Sequence, residues 1–137
     1  MKDKDVVFID NGGALTFNAG NGFAINPIAG AATQNAFAAS DFRDILITAV
    51  GTGTVIVYGS TQKTPPDFSA ASSITNSYVA ITLADYSIAN TYYNGASGVA
   101  VTGSTKIVEL NTNLLTWVAF HRSVDTVDVL LTITNAQ

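Results

Sequence analysis

His121 is the only histidine of this chain, Glu109 is its only glutamate, and cysteine is missing altogether. Acid–base and nucleophilic catalysis need several titratable groups brought together, and this inventory offers few. A Ser-His-Asp constellation could draw on His121, on Asp125 or Asp128 and on one of many serines, but the chain has no Gly-x-Ser-x-Gly elbow to present the nucleophile. A glycosidase pair needs two acids ~5–10 Å apart. Glu109 has no evident acid partner, and its place beside Lys106 suits an ion pair, with Arg122 or Lys63 as other candidates. The Asp3/Asp5/Asp10 and Asp125/Asp128 groups lack the alternating Asp/Asn order and glycine of a calcium loop, which leaves only incidental calcium binding. Without cysteine there is no disulfide framework, no thiol chemistry and no Cys-based zinc or iron–sulfur site. The expectation is a non-enzymatic protein with no catalytic residue, no resident metal and no cofactor.

Aromatic rings carry the remaining chemistry. Trp117 with Tyr86, Tyr92 and Tyr93 could stack against sugars on a rigid β scaffold, with Asn94 and Asp85 as polar neighbours. The competing use of the same rings is core and interface packing, which suits Trp117 in the middle of a strand and Tyr92-Tyr93 with one ring in and one out.

These residues lie on strands. Residues 43–50 and 54–58 are β-branched runs around Gly51-Thr52-Gly53, which predicts a compact hairpin. Residues 59–76, with Thr64-Pro65-Pro66-Asp67, predict a loop, and residues 78–83 a further strand. Short extended pieces occupy 86–93, 98–102 and 105–110, with turns at Asn94-Gly95 and Gly103-Ser104. Residues 115–122 and 126–134 predict a closing hairpin with His121, Arg122 and Asp125 at its turn. In the last of these, Val127, Val129, Leu131 and Ile133 alternate with Asp128, Leu130, Thr132 and Thr134, one face for the core and one partly wet. About eight short strands with turn residues between them and no helical period predict an all-β fold, an antiparallel two-sheet sandwich of jelly-roll type.

The first forty residues differ. Residues 6–9 and 15–17 could form a short hairpin across Asn11-Gly12-Gly13, but residues 18–40 are rich in glycine, alanine and asparagine with scattered rings. This predicts an extended arm over residues 1–40 joined to a body over residues 41–137. Phe17, Phe23, Ile25, Ile28 and Phe37 are its expected anchors on a neighbouring copy.

The balance of six basic and ten acidic residues, net charge −4, has the wrong sign for neutralising phosphates and speaks against nucleic acid. No apolar run approaches the ~20 residues of a membrane-spanning helix, and the run after Lys4-Asp5 is too short for a signal-peptide core. A soluble protein made in the cytosol is expected. Mean hydropathy is +0.31 with only 12% charged residues. A domain this small cannot hide so much apolar surface alone, which predicts burial against copies of itself.

Residues 45–60, then Pro66-Asp67-Phe68-Ser69, Trp117 and the two closing strands resemble small structural proteins of tailed bacteriophages over about two-thirds of the chain. The resemblance implies a β-sandwich or jelly-roll building block of a virion, for capsid decoration or as a head, tail or fibre part. It implies self-association, with a trimer favoured, and a capsid or tail subunit as second partner, in a virion assembled in the host cytoplasm. A carbohydrate-binding module using Trp117, Tyr92 and Tyr93, or an extracellular filament subunit, are the alternatives.

Overall fold

A computed structural model describes residues 13–17, 22–25, 35–39, 42–111 and 115–135. Among them the chain forms ten strands, β1 (Gly13–Ala14), β2 (Gly22–Phe23), β3 (Phe37–Ala38), β4 (Phe42–Ser60), β5 (Val79–Ala80), β6 (Leu83–Asp85), β7 (Tyr92–Tyr93), β8 (Val99–Asn111), β9 (Trp117–Arg122) and β10 (Val127–Asn135), with one 3-10 turn at Gly95–Ser97. All the pairings are antiparallel. The all-β expectation holds in that form.

β4 is the axis. The expected hairpin at Gly51-Thr52-Gly53 does not form, because the strand runs through all three residues. Along one edge β4 pairs with β8, from Asp44↔Asn111 to Val55↔Val99. Along the other it pairs with β10, from Phe42↔Asn135 to Gly51↔Val127, and then with β9, from Val55↔Arg122 to Ser60↔Trp117. β9 and β10 therefore succeed one another along β4 and are not the two arms of a closing hairpin. Residues 123–126 bridge them, held by Ser123 N–H on the Thr54 carbonyl (2.9 Å) and Thr52 N–H on the Thr126 carbonyl (3.0 Å).

A glycine pair reads as a turn because turns require positive φ, and a β-bulge has the same need. Gly51 opposes Ser104 while Thr52 opposes Thr102, so Gly103 (φ 57°) is an extra residue in β8. The β9–β10 run also carries one residue more than β4 between Arg122↔Val55 and Val127↔Gly51. The burial pattern registers both insertions. On β4 odd positions face the core throughout (Ile45, Ile47, Ala49, Val55, Val57), whereas β8 changes from Val99 and Val101 to Val108 and Leu110. The β9–β10 run changes from Val118 and Phe120 to Val127 and Val129. Without the extra residues, half of each flanking strand would turn its apolar side outward.

These side chains share one core with Leu15, Ala24, Phe37, Ala39 and Leu83. Four of its members thus come from residues 1–40. The described parts of that segment lie on the body's own strands: β1 on β10, β2 and β3 on β9. Residues 6–12 of the expected N-terminal hairpin lie outside the described residues, as does Ile28. Leu131 and Ile133 pair with β4 at Ile47 and Ile45.

On the other side of β9 and β4 a second cluster of Ala36, Phe68 and Ala119 takes in Phe23, Tyr58, Tyr78 and Trp117. Phe68 and Tyr78 belong to residues 61–78, a long loop ordered by its own polar side chains. Asn76 accepts from Asp67 N–H (2.8 Å) and donates to the carbonyls of Asp67 (3.0 Å) and Ala71 (3.2 Å). Gln62 accepts from Ser77 N–H (2.8 Å), and Ser60 donates to the Ser77 carbonyl (2.6 Å).

Candidate interaction surface

The β6–β7 hairpin stands at one end of the sheet, in the order β1-β10-β4-β8-β6-β7. Leu83 of β6 faces the core, so Ala84 and Tyr86 project to the opposite, outer face. Tyr92 pairs with Ala84, and Ala84 pairs with Glu109 of β8. Tyr92, Ala84 and Glu109 therefore stand in a row across three strands, and Tyr86, whose N–H donates to the Ile107 carbonyl at 2.9 Å, stands one step along. Tyr86 and Tyr92 are 61% and 64% exposed.

The loop between these rings is rigidly tied. Asp85 Oδ1 accepts from Ser87 N–H (2.8 Å), Ser87 Oγ (2.9 Å) and Ile88 N–H (2.9 Å), while Oδ2 accepts from the Tyr93 hydroxyl (2.5 Å). The Tyr93 hydroxyl, then the Ser87 and Ile88 donors, pull the Asp85 carboxyl down to about 2. Lys106 Nζ donates to the Tyr93 oxygen (3.2 Å) and lies 5.2 Å from the ring centre, fastening the hairpin to β8. With its hydroxyl spent on Asp85, Tyr93 is a structural tie. Lys106 faces away from Glu109, so the expected ion pair between them is replaced by this contact.

Of the four rings singled out for stacking, the structure brings Tyr86 and Tyr92 onto one face. It turns Tyr93 inward against the core. Trp117 lies on β9, with β6, β8 and β4 between it and β7, and packs in the second cluster. Asp85 is occupied within the hairpin. The expected grouping of Trp117, Tyr92 and Tyr93 therefore does not form. The spacing Ala84-x-Tyr86 held the signal for the pair that does, but only strand register across the hairpin reveals that Tyr92 joins it.

The expected arm anchors divide. Phe37 is fully buried, edge-on to Phe120 (5.3 Å). Phe23 is half-buried against His121 (4.8 Å) and Tyr58 (5.8 Å), and Phe17 lies under the Arg122 guanidinium (4.4 Å). Ile25 is half-buried, its N–H on the Thr16 carbonyl at 2.7 Å. Arg122 also donates to the Val127 carbonyl (3.1 Å) and stands 3.7 Å from Asp128. Burial pushes the His121 pKa down.

Other large apolar side chains are exposed as well: Ile74 (97%) at the tip of the long loop, Val79 on β5, Val50 on β4, Val124 between β9 and β10, Ile88 on the hairpin and Ile107 on β8 opposite Tyr86. Among the described residues no three His, Asp or Glu side chains gather as a metal site, and no helix is long and apolar enough to cross a membrane. No protein-family model, curated protein or solved structure matches the chain.

Proposed function

We propose that this protein is a non-enzymatic assembly subunit, a virion component for capsid decoration or for a head, tail or fibre, that associates with copies of itself and with a second virion protein. The observation that carries this reading is the wide spacing of its exposed apolar side chains. Ile74, Val79, Ile88 and Val124 lie on four different elements, and Ile74 tops a turn closed by Ser73 and Asn76 backbone bonds (2.9 and 3.2 Å). Isolated exposed apolar groups are ordinary on a monomer. Several on one small, weakly charged chain, with Ile74 projecting from a braced loop, suit a subunit touched by neighbours on more than one side. The half-buried Phe17, Phe23 and Ile25 leave surface that such a neighbour would cover.

The jelly-roll form of the fold belongs to this reading. Its support is the pair of extra residues, Gly103 and one within 123–126, on either flank of Gly51, which lets both halves of a long three-stranded ribbon serve one core. Sedimentation over a range of micromolar concentrations tests the proposal. A closed oligomer, a trimer in the favoured form, is expected, with Ile74→Asp and Val79→Asp shifting it toward the subunit. A single 14.2 kDa species at every concentration overturns it.

A further inference from the structure

We infer that the outer face of the β6–β7 hairpin is a binding site for a neutral, hydroxyl-rich ligand, a pyranose unit of a glycan, stacked on Tyr92 and Tyr86 with Glu109 as its hydrogen-bond acceptor. The inference does not depend on the assembly role.

Three features select this ligand chemistry. The first is shape. Ala84 separates Tyr92 from Glu109 with one small side chain, and strands ~4.8 Å apart place Tyr92 and Glu109 roughly 10 Å from each other, wide enough for a sugar ring lying over Ala84. The two tyrosines are exposed, and their faces offer the flat apolar surface that the C–H face of a pyranose covers. The second is rigidity. Asp85 takes four hydrogen bonds from within the hairpin and Lys106 fastens it to β8, so little ordering entropy is lost when a weak ligand binds.

The third is what the site does not suit. At the ~200 Å² a tyrosine can bury, the two rings with Ile88 and Ile107, the residue opposite Tyr86, offer roughly 400 Å², about half of the ~800 Å² per partner of a stable protein interface. Sugar hydroxyls donate to a carboxylate and need no basic partner. Thr48 of β4, opposite Ile107, and Thr91 add neutral polar groups at the margin.

Affinity electrophoresis of the full chain tests the site, through native gels cast with dextran, mannan, xylan or galactan, with sedimentation in parallel. Retardation in at least one polysaccharide is expected. Tyr92→Ala and Tyr86→Ala should each abolish it and Glu109→Gln should weaken it several-fold, with the circular dichroism and melting temperature of all three unchanged because the rings are exposed. Trp117→Phe should retain full retardation. Normal mobility of the wild type in all four gels overturns the inference, as does retardation that survives both tyrosine changes. A change in oligomer size in Tyr92→Ala or Tyr86→Ala, without retardation of the wild type, assigns the face to a protein partner and also overturns it.

Discussion

Gly51 faces the Thr126 carbonyl so closely that a Cβ on it would stand 2.2 Å from the oxygen, at a φ of 114° that other residues rarely adopt. This contact lets β4 pass the junction between β9 and β10 without losing either partner. Gly103, the bulge residue on the other flank, has φ 57° but open space where its Cβ would be. Its N–H donates to Thr52 Oγ1 at 2.9 Å.

The two glycines should therefore separate in a stability measurement. Gly51→Ala combines a backbone clash with a strained φ and should cost on the order of 3 kcal/mol or more. Gly103→Ala should cost about 1 kcal/mol, the left-handed penalty alone. Denaturant unfolding of both variants checks this, and equal losses would mean that Gly51 does not meet the Thr126 carbonyl as described.

Phe37→Ala should destabilise the protein by about 3–5 kcal/mol, the cost of emptying a ring-sized space in a core. Phe23→Ala, at a half-buried site, should cost less. Deleting residues 2–40 removes Leu15, Ala24, Phe37 and Ala39 from the core together, so the truncated chain should lose its cooperative melt. A truncated protein with an unchanged melting temperature would show that residues 41–137 hold their core without these four.

The hairpin should loosen in acid. The Asp85 pKa is lowered, from 3.8 to about 2, so the stability it contributes is fully present above 3.8 and is lost as pH falls through 2. Amide protection at Ser87 and Ile88, taken relative to the intrinsic exchange rate at each pH, should fall across that window. Asp85→Asn should exchange faster at neutral pH and show a flatter acid response.

His121 titrates in the same sense over a higher range. Its folded pKa lies below the usual 6.5 because burial against Phe23 disfavours the imidazolium. Below pH 6.5 the unfolded chain takes up the proton first, so stability present above 6.5 is lost as pH falls toward the folded value. His121→Gln should remove that slope from a plot of melting temperature against pH. An NMR titration placing the imidazole above 6.5 would contradict the assignment.

Alternation made the core face of the last strand legible. Val127 and Val129 are buried, as their spacing predicts, and Asp128 is exposed. The punctuation was harder to read. Gly51, Gly53 and Gly103 each resemble a turn in sequence, since positive φ is common to turns and bulges. Only pairing with strands far along the chain determines which occurs. The same non-locality hid the partners of residues 13–39, whose short apolar pieces carry little period of their own. At the hairpin, Tyr92 was identifiable as one of two adjacent rings, but its alignment with Tyr86 and Glu109 arises from two registers, β6 with β7 and β6 with β8.

The placement of β4 also bears on how this chain must be made. Its partners Ser104, Val127 and Ile133 are all translated after it, and a ribosome adding roughly 5–20 residues per second leaves nineteen strand residues waiting for several seconds with both edges open. An unpaired β-branched strand in that interval is a template for pairing between nascent chains. Gly51-Thr52-Gly53 interrupts the run near its middle and so also serves the newborn polypeptide, breaking one long adhesive segment into two shorter ones until the downstream strands arrive.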